Sequence, residues 1–251
     1  MTHVFLVFTL LTVAAGASAK GNKAKQMSQM EAKTKEATFL IFLDSESELC
    51  LGTLIHEQWV LTTAHCFLPF LKIKIATSGD RRFQNLDLRP LLVVRHPNFT
   101  QDSAEHDIML VKLESPLQLG DELKLAALPN STDDKRGTTC TVAGWGWTWK
   151  RYNKDPDIQI NQDVVWFSSE DCQAFSTRTI STAVPDTMFC AGLSLGSTFL
   201  CWEVTAAPIL CQHQLQGILS WSEGCVLRGS IGYYTKISQY TDWILKVIHT
   251  K

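Results

Sequence analysis

The sequence predicts an all-β protein, built as a sandwich or as barrels. From Ala37 onward, short apolar or alternating runs are separated by clusters of Gly, Pro, Asn and Asp, which is typical of strands joined by turns. Leu71–Ile75 reads Leu, Lys, Ile, Lys, Ile, the two-residue period of a strand with one buried face. No repeat of the solenoid type is visible, so we expect the strands to pack as a sandwich or to close into barrels.

Several segments have the length and apolar content of strands, and one has the pattern of a helix. The expected helix is Tyr240–His249, where Trp243, Ile244, Val247 and Ile248 fall on one face. That face is expected to dock the helix on the sheet. The expected strands include Thr38–Leu43, Leu71–Ala76, Leu91–Val94, Ile108–Leu113, Val164–Phe167, Leu215–Trp221 and Tyr233–Ile237.

The composition excludes several classes of function. The 23 Lys and Arg residues stand against 25 Asp and Glu, giving a net charge of -2, so nothing in the overall charge attracts nucleic acid or an anionic membrane. The chain has no CxxC pair and no HExxH motif, so no metal or other cofactor is expected. Its 251 residues, 45% of them apolar, are enough to bury a core.

The N-terminus has the pattern of a secretory signal peptide. Residues 4–13 are uncharged and almost wholly apolar, and Ala17–Ala19 supplies the small residues at which a signal peptidase cuts. This apolar run is too short for a membrane anchor. We therefore expect removal of residues 1–19 and a secreted, extracellular chain whose eight cysteines form disulfides. Two sequons fit a secreted glycoprotein; their acceptors are Asn98 and Asn130.

Residues 20–36 are expected to form a flexible basic arm. They carry five lysines and two glutamates, and no aromatic or β-branched apolar residue. Such a segment has little with which to build a core. A binding arm and a solvated tail without function are both consistent with this composition.

A series of motifs indicates a family. Cys50–Ile55, Leu61–Cys66 and His106–Leu113 follow one another in the chain, and they resemble the corresponding segments of the trypsin-like (chymotrypsin-fold) serine proteases. The resemblance implies two packed six-stranded antiparallel β-barrels, about 37–130 and 131–251, with the active site in the cleft between them. We also expect a monomer, although the resemblance does not assign the oligomeric state. The match continues through Gly144–Gly146, Pro208–Cys211, Ser220–Trp221 and Gly232–Lys236 to the C-terminal helix.

Within this protease-type domain, 37–251, the resemblance also pairs all eight cysteines. The number of cysteines alone leaves many pairings open, so the pairing rests on the resemblance. Each bridge is typically worth about 2–4 kcal/mol, because it restricts the unfolded chain. The implied bridges are Cys50–Cys66, Cys140–Cys211, Cys172–Cys190 and Cys201–Cys225.

The resemblance also implies two members of a catalytic triad. His65 corresponds to the general base, and Asp107 to the carboxylate that fixes its tautomer and stabilises the imidazolium. Without the flanking motifs, His65 beside a cysteine is more simply interpreted as a packed structural histidine, and Asp107 as a cap at a strand edge. The motifs favour the catalytic interpretation.

The nucleophile position departs from the family pattern. The family has Cys, any residue, Gly, Asp, Ser, Gly, Gly, Pro, whereas Cys201–Pro208 reads Cys, Trp, Glu, Val, Thr, Ala, Ala, Pro. Thr205 keeps a hydroxyl at the serine position. Its β-branch restricts χ1 and places a methyl group beside the attacking oxygen, so we expect an impaired nucleophile rather than a missing one.

The two residues before the nucleophile position are expected to weaken the site further. Glu203 replaces the glycine whose backbone N–H helps to form the oxyanion hole in the family, and a misaimed donor costs about 10²–10³ in rate. Val204 replaces the aspartate that pairs with the new N-terminus of activated relatives. No lysine of residues 20–36 is followed by Ile-Val-Gly-Gly, so both halves of the activation switch are missing.

The predicted specificity pocket also differs from that of trypsin. Phe199 stands two residues before Cys201, where trypsins place the aspartate that receives Lys or Arg, so trypsin specificity is excluded. Ser220 and Trp221 are retained, which implies an edge strand able to pair with a peptide backbone. Ser222 replaces the glycine that follows, and its side chain is expected to narrow that edge.

Three hypotheses follow from these residues. The first is a secreted, inactive or severely impaired protease homologue, similar to the trypsin-X-like branch, that serves as a binding or regulatory scaffold for an extracellular protein or peptide. The second is a residual hydrolase in which His65 and Asp107 activate Thr205, without Lys or Arg specificity. The third is a disulfide-braced extracellular protein whose cleft has no function and whose arm, residues 20–36, binds the partner.

Overall fold

The computed structural model describes most of the chain from residue 38 onward. All described residues belong to one unit, Ala37–Lys251. The expected signal peptide and basic arm, residues 1–36, lie outside the described residues. The described ranges are 38–44, 49–67, 72–76, 83–86, 88–121, 123–147, 158–175, 184–193, 202–203, 205–222 and 231–251.

Strands dominate the secondary structure of these ranges. The helices are short: α1 is Ser169–Phe175, and α2 is Thr241–Thr250. The strands are β1 Leu40–Asp44, β2 Leu49–His56, β3 Trp59–Thr62, β4 Lys72–Ala76, β5 Phe83–Leu86, β6 Pro90–Arg95, β7 Met109–Leu113, β8 Thr139–Trp147, β9 Ile158–Trp166, β10 Met188–Gly192, β11 Trp202–Glu203, β12 Pro208–Cys211, β13 Gln214–Ser222 and β14 Gly232–Lys236.

The first seven strands form an antiparallel barrel in the order β5-β4-β1-β2-β3-β7-β6. The two strands at the ends of this order, β5 and β6, are consecutive in the chain and are separated only by residues 87–89. Strand β5 pairs with β4, and β6 pairs with β7. The sheet has the antiparallel, barrel-like form that the family resemblance implies.

The second barrel is closed by six strands. Its ring runs β8-β12-β13-β14-β10-β9, and β9 returns to pair with β8. That last pairing extends from Thr139 opposite Val165 to Gly146 opposite Ile158. The two-residue strand β11 lies outside the ring, where it pairs with β8.

Both faces of β1 are buried, because the strand contributes to two cores. Ile41 and Leu43 belong to the core cluster of the first barrel, whereas Phe42, on the opposite face, packs in the cluster of the second barrel. In that second cluster the Trp166 and Phe189 rings stack with centroids 3.8 Å apart. The run Leu40–Leu43 is therefore continuously apolar instead of alternating.

The C-terminal helix α2 packs on the core cluster of the first barrel. Ile244 and Val247 are buried in that cluster, and Trp243 and Ile248 pack against it partly buried. The apolar face predicted from helical spacing is thus the face that packs. No helix among the described residues is long and apolar enough to cross a bilayer.

Most expected elements are present with shifted ends, and several elements were missed. The expected strand at Val164–Phe167 is the last part of β9, which begins at Ile158. Helix α1 was not predicted because seven residues make too few turns to show a helical period. Its Cys172 is bonded to Cys190 of β10, so a disulfide attaches this short helix to the second barrel.

Candidate active site

His65 lies in a short 3₁₀ turn, Ala64–Cys66, that follows β3. The turn is attached to β2 by the disulfide between Cys66 and Cys50, both of which are fully buried. The His65 side chain itself is 37% exposed. A rigid support thus presents an imidazole at the protein surface.

Asp107 faces this imidazole from the segment before β7. Its side chain is almost completely buried, and its Oδ2 lies 2.6 Å from Nδ1 of His65. The backbone N–H of His65 donates to Oδ1 at 2.9 Å. The hydroxyl of Ser220 donates to Oδ2 at 2.5 Å, so hydrogen bonds compensate the buried charge.

Thr205 completes the arrangement from the second barrel. Its backbone carbonyl accepts the N–H of Leu51 at 2.9 Å, and it forms a parallel bridge with Cys50. Its Oγ1 lies 3.0 Å from Nε2 of His65. Because Nδ1–H of His65 faces a carboxylate, Nε2 is the acceptor and the threonine hydroxyl is the donor, which is the polarity that proton abstraction requires.

The site joins the two barrels. His65 and Asp107 come from the first barrel, while Thr205 and Ser220 come from the second. Thr235 of the second barrel adds a hydrogen bond from its hydroxyl to the backbone carbonyl of Asp107, at 2.9 Å. The site therefore forms only when the barrels pack together.

The structure describes part of the predicted oxyanion hole and specificity pocket. The backbone of Glu203 pairs with Gly146 of β8. Trp221 stacks on Tyr233 with ring centroids 3.8 Å apart, and Ser222 is half-buried beside it. The other predicted residues of this region, Phe199, Cys201, Val204 and Cys225, lie outside the described residues, as does the side chain of Glu203.

Three of the four expected disulfides fall within the described residues, and all three are formed with the expected partners. They are Cys50–Cys66, Cys140–Cys211 and Cys172–Cys190. The fourth, Cys201–Cys225, lies outside the described residues. The sequon residues Asn98 and Asn130 are both exposed. No group of three or more His, Cys, Asp or Glu side chains suited to a metal ion occurs in the described part of the chain.

The residue after Thr205 has an unusual backbone conformation. Ala206 has a φ of 64° and is fully buried, at a position where the family pattern has glycine. The left-handed region costs a residue with a Cβ atom roughly 1–2 kcal/mol. An alanine therefore occupies a turn position whose backbone conformation favours glycine.

Ala206→Gly is expected to raise the free energy of unfolding by about 0.5–1 kcal/mol, because glycine adopts this conformation without steric cost. Denaturant unfolding measures the change. Ala207→Gly is the matched control: Ala207 is buried next to it but is not in the left-handed region, so glycine there should lower stability by about 0.5–1 kcal/mol. Equal losses in both variants would contradict strain at Ala206.

Sequence reasoning missed part of the support for the site. Ser220 was predicted only as a residue of the specificity pocket, yet its hydroxyl binds Asp107. The bond from Thr235 to Asp107 was also missed. Neither bond has a signal in the sequence, because each joins residues more than a hundred positions apart.

A histidine between a buried carboxylate and a hydroxyl, on residues from two packed antiparallel β-barrels, has the arrangement of a serine-protease triad, with threonine as the hydroxyl residue. The chain belongs to the trypsin family, whose model matches residues 26–244. Human serine protease 58 is 38% identical over 216 residues, covering 84% of this chain and 87% of the relative. A bovine relative named probable inactive serine protease 58 is 36% identical over 221 residues, again covering 84% of this chain and 87% of the relative.

The solved structures support the same fold. Neuropsin, a serine protease expressed in the limbic system of mouse brain, superimposes with a TM-score of 0.71 at 29% sequence identity. The match covers 86% of this chain and 96% of the neuropsin chain. Fold and family are thus established.

Proposed function

We propose that this protein is a secreted trypsin-family homologue that is inactive or severely impaired in hydrolysis and acts as a binding or regulatory scaffold for an extracellular protein or peptide. The observation that supports this most directly is the identity of the hydroxyl beside His65. The Oγ1 at 3.0 Å from Nε2 belongs to threonine, Thr205, and not to serine.

A threonine at this position hinders attack on a carbonyl carbon. The β-branch limits χ1, and the methyl group shares the space in which a substrate carbonyl must approach Oγ1. Displacement of a reacting atom by even 1 Å is enough to cost on the order of 10²-fold in rate. Proton transfer to His65 is thus retained while bond formation is disfavoured.

The residues around Thr205 add a second defect. Glu203 has a Cβ atom and a negative charge at the position whose backbone N–H stabilises the oxyanion in the family, and loss of one such donor costs about 10²–10³ in rate. At the Val204 position the aspartate of the activation switch is replaced. The name of the bovine relative, probable inactive serine protease 58, is consistent with a loss of hydrolysis in this part of the family.

A second candidate function, a residual hydrolase, is favoured by the geometry of the triad. His65 lies within hydrogen-bond distance of both Asp107 and Thr205, at 2.6 Å and 3.0 Å. Such a relay is able to activate a threonine hydroxyl. In this function the substrate side chain would be apolar, because Phe199 offers no carboxylate to a Lys or Arg side chain.

Labelling by a fluorophosphonate separates the two functions, because the probe reacts only with an activated hydroxyl. We expect the purified secreted chain to label at a rate at least about 10²-fold below that of a trypsin-family enzyme. Thr205→Ala is the control for site-specific labelling, and His65→Ala is the control for activation by the imidazole. Rapid labelling that both substitutions abolish would establish the hydrolase and overturn the scaffold function.

The scaffold function also requires a place where the partner binds. We assign it to the cleft edge formed by Ser220–Ser222, where a peptide backbone can pair with the strand, and the competing location is the arm, residues 20–36. Partner capture by a chain lacking residues 20–36 decides between them. Capture that is unchanged supports the cleft, whereas capture that is lost supports the arm.

A further inference from the structure

A cluster of two histidines and two aromatic residues lies next to Asp107 and includes the residue before it in the chain. His96 of the segment after β6 stacks on His106, with ring centroids 4.9 Å apart and planes inclined by 11°. Tyr240 and Trp243, at the start of α2, contact His96 edge-on at 5.3 and 5.0 Å. Neither the catalytic arrangement nor the proposed binding function uses this cluster.

The cluster is connected to Asp107 through the backbone. His106 precedes Asp107 and has a φ of 56°, a conformation that costs a non-glycine residue roughly 1–2 kcal/mol. The N–H of Ile108 donates to the carbonyl of His106 at 2.8 Å, which makes a three-residue turn centred on Asp107. The N–H of His96 donates to the carbonyl of Ile108 at 3.0 Å. A strained turn thus carries the carboxylate, and the cluster holds the turn in place.

The hydrogen bond that His96 accepts requires a neutral imidazole. The backbone N–H of Asn98 donates to Nδ1 of His96 at 3.3 Å; a backbone N–H only donates, so this nitrogen carries no proton. Nδ1 of His106 lies 3.0 Å from the hydroxyl of Tyr240. Burial raises the pKa of Tyr240 to about 12, so the hydroxyl keeps its proton at every physiological pH and stays able to form this hydrogen bond with His106.

Protonation acts against this arrangement. Burial, together with the charge that His106 would carry, lowers the pKa of His96 from its ordinary value of 6.5. Among the described residues, the other charged or titratable groups beside the pair are Arg95 on β6, Glu105 and Asp107 on either side of His106, and Tyr240 just before α2. Since the unfolded chain binds a proton to His96 more readily than the folded chain, stability conferred by the cluster is present above pH 6.5 and decreases as the pH falls below it.

We propose that His96, His106 and Tyr240 are positioning residues that keep Asp107 in contact with His65 at neutral pH, and that this contact is formed less often in acid. At neutral pH the stacked rings and the Tyr240 hydroxyl keep the strained turn closed. In acid, a proton on His96 displaces the N–H of Asn98, and two protonated stacked rings repel each other. The turn then opens more often, and Asp107 loses its contact with His65. This inference does not depend on whether Thr205 reacts.

Amide hydrogen exchange of the full chain tests the proposal. The His65 amide reports on Asp107 directly, because it donates to Oδ1, and the Ile108 amide reports on the turn. Between about pH 8 and about pH 5, we expect the protection factors of both amides, corrected for intrinsic exchange, to fall several-fold. The Leu215 amide, which donates to the Ala127 carbonyl, reports on global unfolding and should fall less.

Two variants distinguish positioning from a general loss of stability. His96→Phe keeps an aromatic ring beside His106 but does not titrate, so the pH dependence at His65 and Ile108 should disappear. His56→Gln is the matched control, because His56 is exposed and its Nδ1 also accepts a backbone N–H two residues on, at 3.2 Å, but it lies outside the stack. This control should behave as the unmodified chain does.

Several hydrogen-exchange results would overturn the proposal. An increase of protection at the His65 amide in acid would overturn the proposal, because the proposal requires Asp107 to lose its contact with His65. Unchanged protection in the unmodified chain, or an undiminished pH response in His96→Phe, would also overturn it. If His96→Phe does not fold, Tyr240→Phe serves instead: without the hydroxyl donor, protection at Ile108 should already be several-fold lower at neutral pH, and normal protection there would contradict the role of Tyr240.

Discussion

Thr205→Ser alone should leave hydrolysis of ester substrates at least about 10²-fold below that of ordinary trypsin-family enzymes. The substitution removes the methyl group and the β-branch, and it keeps the hydroxyl that faces Nε2 of His65. It does not change the backbone around Glu203 and Thr205, which in the family supplies the donors of the oxyanion hole. Under the proposed function, a better nucleophile would still attack a carbonyl whose developing charge is poorly stabilised.

Thr205→Ser combined with Glu203→Gly should therefore gain more than the product of the two single gains, because residues that act in one catalytic step are not additive. Turnover of esters with apolar side chains is the measurement, since Phe199 leaves no carboxylate for a Lys or Arg side chain. The double variant should still be weak, because Val204 cannot form the ion pair that orders this region in active relatives.

Glu203→Gln is the matched control for the charge, since it keeps the Cβ atom and the size of the side chain. If Glu203→Gln restores as much ester turnover as Glu203→Gly does, the defect is electrostatic. If only Glu203→Gly restores turnover, the defect is in the backbone conformation. Ordinary family activity in Thr205→Ser alone would contradict the proposed function and leave a competent protease limited by one methyl group.

Loss of the Cys50–Cys66 bridge should affect both stability and the candidate active site. Replacement of both cysteines by alanine is expected to lower the free energy of unfolding by about 3 kcal/mol, the usual effect of a bridge that closes a loop of about 15 residues; here the separation is 16 residues. The bridge also holds the turn of His65 against β2, where Leu51 binds the carbonyl of Thr205. We therefore expect weaker protection of the His65 amide as well.

The Cys172–Cys190 bridge provides the matched control. It spans 18 residues, so the chain-entropy argument gives nearly the same loss of stability, again about 3 kcal/mol. It joins α1 to β10, and its two cysteines lie in a core cluster that contains none of His65, Asp107 and Thr205. Its removal should lower the protection of the His65 amide no more than it lowers the protection of the Leu215 amide, which reports on global unfolding. Equal effects of the two bridges on His65 would show that the first bridge acts only through the unfolded chain.

The sequence predicts elements with a clear period or an apolar run better than those without one. The C-terminal helix has an apolar face that α2 buries, and Leu71–Ile75 alternates as a strand should; both elements are present. Strand β5 was not predicted, because its two central residues are polar and its sequence shows neither an apolar run nor a two-residue period. Helix α1 is too short to show a period.

The candidate site was predictable only where family motifs mark it. His65, Asp107 and Thr205 were found from the residues around them, and the structure brings their side chains together. The buried support of Asp107 by Ser220 and Thr235 was not found, because it depends on how two barrels pack. Such contacts carry no signature in either segment alone.

The burial of Asp107 has a consequence for how such chains change over evolutionary time. Its charge is compensated by His65 and Ser220. Removing a partner from a buried charge pair costs on the order of 3 kcal/mol of stability. The cost is smaller for a partner that is as exposed as His65. A lineage that has given up hydrolysis therefore still has a folding reason to retain both the histidine and the aspartate. Genome surveys that score trypsin-family chains as enzymes from these two residues would count an inactive homologue with this arrangement as active. The nucleophile and the residue two positions before it are the better diagnostic pair.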